Sequence, residues 1–273
     1  MKSAHSGTNA TTNRMKTTIK RTTQISTAVL LTAAGAGNAL AQNAPAAAPA
    51  PPAWQSSASL GLTLTRGNSD TTTLAAAATT EKKWDANDLS LGIDGLYGTT
   101  KLAGNSSSTK NAELLHGFVQ YNYLFSERLY GYARVDGLHD GIADIKYRLT
   151  LSPGLGYYFI KEKTFDLSGE VGPGFVTEHL GPKYLDFAVL RVGEKLHWQL
   201  SDRARLWQTA EWLPQVDYMK NYIVNFEIGI EADLTKDKKL TLKTYLDDTY
   251  NNVPAANRKK NDTKLVTAIG YKF

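Results

Sequence analysis

The side chains of this sequence that could do chemistry are few and far apart. His139-Asp140 and Glu178-His179 each set an imidazole beside a carboxylate, the pairing a general base requires, and His116 and His197 complete the histidines beyond residue 41. Adjacent residues on a strand point to opposite faces, however, and no serine motif accompanies either pair. Hydrolysis is therefore the weakest functional reading, and the chain is not expected to be an enzyme. No two histidines stand at metal-ligand spacing, cysteine is absent, and Asp247-Asp248 reads as a strand end beside a polar loop. Neither a metal nor any other cofactor is expected. Gly67-Asn68-Ser69-Asp70 is a turn signal and not a phosphate loop, because no helical pattern follows it.

The charge distribution removes a second class. The chain has 31 Lys and Arg against 26 Asp and Glu. Lys2, Arg14, Lys16, Lys20 and Arg21 all precede residue 42 with no acid among them, so residues 42–273 carry 26 of each sign. The basic excess belongs to the N-terminus, and nucleic-acid binding loses its support. There, Lys16, Lys20 and Arg21 precede the apolar run Ala28-Val29-Leu30-Leu31, which ends at Ala39-Leu40-Ala41. This is the pattern of a secretory signal peptide, predicted to span 1–41 with cleavage before Gln42. Residues 42–53 form an Ala/Pro-rich linker, and 54–273 hold the fold.

The elements that must position every remaining polar group are strands. From Trp54 onward polar and apolar residues alternate: Ala58, Leu60, Leu62 and Leu64 share one face, while Ser57, Ser59, Thr63 and Thr65 share the other. Further strands are predicted near 71–84, 89–98, 112–125, 129–138, 145–159, 165–178, 187–199, 204–214, 221–234 and 240–250, with a last one ending at Phe273. That makes an all-β chain of about twelve antiparallel strands, an even number suited to a closed transmembrane β-barrel with short periplasmic turns and longer extracellular loops. The turns 85–88, 126–128, 160–164, 200–203 and 235–239 alternate with connections that are mostly longer, among them 99–111, 139–144, 179–186 and 251–262.

Alternation alone does not say which face is outside. A barrel of this size has a lumen too wide to fill with apolar side chains. Aromatics gather at the short-turn ends (Trp54, Trp84, Phe125, Phe159, Phe165, Trp198 and Phe273), as an interfacial girdle requires. The apolar stripes are accordingly placed toward lipid. Three residues fit this poorly. Pro153 and Pro173 fall inside strands and imply bulges or strand ends, and Glu194 shares the outward parity of Val192 and Leu196.

Gly67-Asn68-Ser69-Asp70-Thr71, Pro153-Gly154-Leu155-Gly156-Tyr157, Glu170-Val171-Gly172-Pro173-Gly174-Phe175 and the Leu200-Ser201-Asp202-Arg203 turn resemble the salt-induced outer membrane proteins, a family built on domain of unknown function 481. The resemblance covers roughly 54–273. It implies an outer-membrane barrel and a link to envelope stress, and it carries no catalytic residues. Leu265, Ile269, Tyr271 and Phe273 also resemble the C-terminal signal read by the barrel-assembly machinery.

Outward apolar stripes send Arg134, Asp136, Lys146, Arg148, Glu170, Arg191, Lys195, His197, Glu211, Glu227 and Glu231 into the lumen. The first reading is a barrel largely filled by paired charges and serving envelope integrity. The alternative is a narrow channel for small solutes or ions. Arg258-Lys259-Lys260 in the last long loop could meet lipopolysaccharide phosphates, though a solvated charge run is the simpler account. The sequence leaves the oligomeric state open.

Overall fold

The computed structural model describes residues 53–65, 69–102, 104 and 106–273; the expected signal peptide lies outside them. The strands are β1 (Gln55–Thr65), β2 (Ser69–Trp84), β3 (Asn87–Leu102), β4 (Thr109–Leu124), β5 (Leu129–Asp140), β6 (Ile145–Lys161), β7 (Phe165–Leu180), β8 (Lys183–Ser201), β9 (Ala204–Pro214), β10 (Tyr222–Asp233), β11 (Leu240–Asn251) and β12 (Asn261–Lys272). Each pairs antiparallel with its sequence neighbours, and β1 meets β12 from Ser57↔Lys272 to Leu60↔Ile269. The twelve strands form one closed barrel, with no helix among the described residues. Closure leaves no open edge, the condition under which strands can cross a lipid core.

Strand number and order are those that alternation predicts, while several ends run further. β8 begins at Lys183, so the loop expected over 179–186 contracts to Gly181–Pro182, with Gly181 at a φ of 56°. The apolar band of a membrane barrel is only about 25 Å tall, so a strand that outgrows it stays paired without needing apolar outward residues. The pattern fades there before the ladder does. The longest connections, 215–221 and 252–260, lie at the rim opposite the two-residue turns 85–86 and 202–203.

Directly paired residues share a face, so the register sorts every side chain. Leu60 and Leu265 point outward and are 63% and 73% exposed, whereas inward Glu170 and Arg191 are each 3% exposed. Ile93, Leu115, Leu151, Val171, Ile228 and Ile269 continue the outward belt. Trp54, Phe125, Phe159, Trp198 and Phe273 are exposed at the short-turn rim, where Phe165 and Trp198 meet edge to face at 6.2 Å. Apolar side chains outside and charge within define a membrane-spanning barrel.

The prolines produce neither the bulge nor the strand end that the sequence implies. They lie on one rung: β6 and β7 pair at Leu151↔Phe175 and again at Leu155↔Val171, which sets Pro153 opposite Pro173 where the pairing lapses. Two residues without an amide hydrogen, placed face to face, confine the loss to one rung and leave the register unchanged on either side. Glycines make the close approach there possible, since a Cβ on Gly172 would run into the Pro153 carbonyl oxygen. The register shifts between these strands occur elsewhere, at Ile145/Tyr147 and Tyr158/Ile160. Glu194 does keep its outward parity; it is exposed and pairs with Gly169 and Ala210.

Candidate functional site: the lumen

Glu170, the sixth residue of β7, is the hub of the lumen. It accepts hydrogen bonds from Arg191 Nη1 at 2.7 Å, Lys195 Nζ at 2.8 Å, Gln120 Nε2 at 2.9 Å and the Tyr130 hydroxyl at 3.0 Å. A carboxylate this buried needs such a set, because unpaired burial would cost several kcal/mol. Arg191 also donates through Nε to Glu211, which accepts from Asn225 Nδ2 at 2.9 Å, and Asn225 accepts from Thr249 at 3.3 Å. In the other direction Gln120 accepts from Arg134 at 3.1 Å. Arg134 forks onto Asp136 at 2.6 and 2.8 Å, and His116 lies between Asp136 and Asp94, at 3.4 and 2.8 Å. One polar chain thus runs from Asp94 on β3 to Thr249 on β11.

β6 contributes absence of bulk to this chain. Its inward residues at the hub are Gly154 and Gly156; a Cβ on Gly156 would strike the Tyr130 ring, and one on Gly154 the Tyr132 hydroxyl. The two tyrosines of β5 lie across these glycines, so Tyr130 reaches Glu170, and Tyr132 packs its ring 5.1 Å from the Arg191 guanidinium. This gives the Pro153-Gly154-Leu155-Gly156-Tyr157 motif a physical role.

Two smaller clusters flank the hub. At the short-turn end Glu231 and Asp233 of β10 are surrounded by Arg205, Lys243 and Lys272; Lys272 Nζ is 2.8 Å from Glu231 and 3.1 Å from Asp233. Toward the other rim Arg148 pairs with Glu178 at 2.6 Å, both buried. On β7 Val176 lies between this pair and the hub, and it forms an inward apolar cluster with Val189, Leu213 and Ile223. Ala255, in the connection after β11, packs on Ile145 and Leu180. The connection therefore reaches across the mouth to strands on the far side of the ring.

The structure brings together Arg134, Asp136, Glu170, Arg191, Lys195 and Glu211, and places Arg148 and Glu231 in the flanking clusters. Glu227 stands apart: it accepts from Trp207 Nε1 at 2.6 Å, with Asp94 and Asp247 in electrostatic reach. His197 sits 3.2 Å from Asp166. Lys146 leaves the pattern, because Ile145 and Arg148 are both buried across the register shift and Lys146 between them is exposed. Gln120, Tyr130, Asn225 and Thr249 are the participants that charge alone misses; their inward parity was the available signal. Of the imidazole–carboxylate pairs, Glu178 turns in to Arg148 while His179 stacks on Tyr184 at 4.0 Å, and His139 Nδ1 lies 2.9 Å from the Lys146 carbonyl. Ile269 and Tyr271 lie on the outward face of β12, and Phe273, just after it, is exposed.

The lumen is not filled evenly. Inward Thr150, Ser152, Ser168, Glu170, Val176, Val189 and Arg191 of β6–β8 are buried. Inward Ser57, Ser59 and Thr63 of β1, and Thr73, Ala75, Ala77 and Thr79 of β2, are short and none is buried, although Gly61 among them is, and the longer Glu81 and Lys83 pair at the short-turn end. Among the described residues no cluster of His, Cys, Asp and Glu is placed to hold a metal ion.

Fold and interior together define a membrane-spanning antiparallel barrel with a charge-lined lumen. The chain belongs to the family described as protein of unknown function, DUF481, whose model matches residues 58–273. A comparison with curated protein sequences found no match. Solved structures similar to this chain include the NanC porin, at 10% identity and a TM-score of 0.44 over 80% of this chain and 98% of that one. An outer membrane channel from Pseudomonas putida F1 aligns at 13% identity and a TM-score of 0.44, over 83% of this chain and 97% of that one. The translocator domain of the autotransporter NalP from Neisseria meningitidis aligns at 12% identity and 0.42, over 81% and 87%.

Proposed function

We propose that this barrel lies in the outer membrane and provides a narrow, off-centre passage for small solutes or ions. The charge network is its fixed wall, and β1 and β2 are its open side. The observation that carries this reading is the unequal filling of the lumen: buried, paired side chains on β6–β8 face short, accessible ones on β1 and β2. The lumen largely filled by paired charges, the first reading of the sequence, corresponds here to the β6–β8 wall. Glu227, with Asp94 and Asp247 in electrostatic reach and Lys264 3.2 Å from Asp247, leaves carboxylates in excess there and would bias the passage toward cations.

Conductance of the refolded barrel in a planar lipid bilayer is the test. Small, steady openings are expected, with cation preference reduced in Glu227→Gln. Silence from protein whose heat-modifiable migration shows it folded would sink the passage and leave a barrel with a structural role in envelope integrity.

The remaining parts of the proposal concern delivery and surroundings. The signal peptide would be removed after Ala41, which N-terminal sequencing reads directly. Ile269, Tyr271 and Phe273 would engage the assembly machinery, so deletion of Phe273 should lower membrane insertion. Arg258 and Lys259, exposed on the connection after β11, would face lipopolysaccharide phosphates. The resemblance to salt-induced proteins adds the expectation that abundance rises with external salt, which an immunoblot across salt concentrations measures.

A further inference from the structure

Glu194 is explained by neither the belt nor the lumen. The row Leu129↔Tyr157↔Gly169↔Glu194↔Ala210↔Phe226↔Asp248 crosses from β5 to β11. Strands in a barrel tilt, so a row perpendicular to them climbs the wall. This one starts at Leu129, the first residue of β5 at the short-turn rim, and ends three residues from the opposite end of β11. Glu194 stands midway, on the lipid side, where ionisable groups are costly and mark functional contacts.

A second polar residue lies beside it. Gln208 of β9 pairs with outward Leu196 and Ile228, which makes it a diagonal neighbour of Glu194 on the same outer face. Among the described residues neither has a hydrogen-bond or ion-pair partner. The Phe159 ring lies over Gly169 on one side of Glu194, while Ala210 on the other side, toward Gln208, is small and leaves the carboxylate open to an approaching surface.

We propose that the β8–β9 outer face binds a second copy of this chain within the membrane. An acceptor and a donor set side by side are self-complementary about a two-fold axis: Glu194 of each copy accepts from the Gln208 amide of the other. Isologous contacts of this kind are how dimers close. A lipid tail offers no donor, and an unrelated partner would leave the Gln208 amide without a role.

The chain has no cysteine, so Ala210→Cys supplies a single thiol next to the proposed axis. Oxidation of this variant in intact membranes should give a band at twice the monomer mass. Ala78→Cys, on the outer face of β2, serves as the control and should give little. In the Ala210→Cys background Gln208→Glu sets carboxylate against carboxylate and should reduce the band to the control level. The exchange Glu194→Gln with Gln208→Glu restores one donor and one acceptor per copy and should bring it back. The Ala210→Cys chain decides alone if a second substitution prevents folding, which heat-modifiable migration reports. A band no stronger than the control, an adduct of another mass, or a band undiminished in Glu194→Leu would overturn the proposal.

Discussion

Two walls of this barrel obey the same alternation and reach opposite results. On β6–β8 the inward residues meet partners from several strands away, while the short inward residues midway along β1 and β2 bond, among the described residues, to adjacent strands, as in the 2.9 Å hydroxyl contact of Ser57 with Thr79. The difference lies in reach. Arg191, Lys195, Gln120 and Tyr130 are long, and Gly154 and Gly156 open the floor over which the tyrosines extend. Ser, Thr and Ala on the other wall cannot cross the lumen. Strand number fixes the diameter of such a barrel, whereas side-chain length on each wall fixes where the free space lies.

The largest effect should come from removing the hub. Glu170→Ala leaves Arg191 and Lys195 short of their shared acceptor in a closed part of the lumen. Breaking a buried pair in this way costs about 3–5 kcal/mol. The urea midpoint of the refolded barrel should fall accordingly, and the matching change on the other wall, Ser57→Ala, should stay within about 0.5 kcal/mol. Equal midpoints for the two variants would erase the distinction between the walls.

A smaller loss is expected where the network needs room. Gly156→Ala drives a Cβ into the Tyr130 ring, whereas Gly137→Ala meets nothing within 4 Å. Overpacking of the first kind costs about 1–3 kcal/mol. Adding Tyr130→Leu should recover part of that loss, since the clash disappears while the hydrogen bond to Glu170 is already forfeited. Strict additivity of the two substitutions would show that the glycine serves something other than the tyrosine.

These features differ in how far the sequence discloses them. Strand count, order and inward parity follow from alternation, which is why Glu170, Arg191 and Glu211 fall on one face before any coordinates are known. Pairing partners do not follow. Glu178 reads as half of an imidazole–carboxylate pair, yet its neighbour across the ladder, Arg148, takes it inward. Lys146 has inward parity in the sequence and loses it to a register shift, which no periodicity announces. The facing prolines are likewise invisible one strand at a time, because only the register between β6 and β7 sets them on one rung. Local pattern determines faces; long-range register determines contacts.

The open wall offers the finest test. Ser59 faces the lumen between Ala77 on β2 and Gly270 on β12; Thr241 and Lys243 lie over the glycine, so the room is on the β2 side. Ser59→Trp therefore has space to enter without displacing a partner, and stability should change by no more than about 0.5 kcal/mol, as for substitutions away from packed features. Conductance should nevertheless fall, because the ring enters the part of the lumen that the network leaves free. The same replacement at Thr79, exposed on the same wall, should act likewise. If both variants fold as well as the parent and conduct as well, the free space along β1 and β2 is not the route of permeation. The passage would then have to run along the charge network itself, where motion of Arg191 and Lys195 would be required to open it.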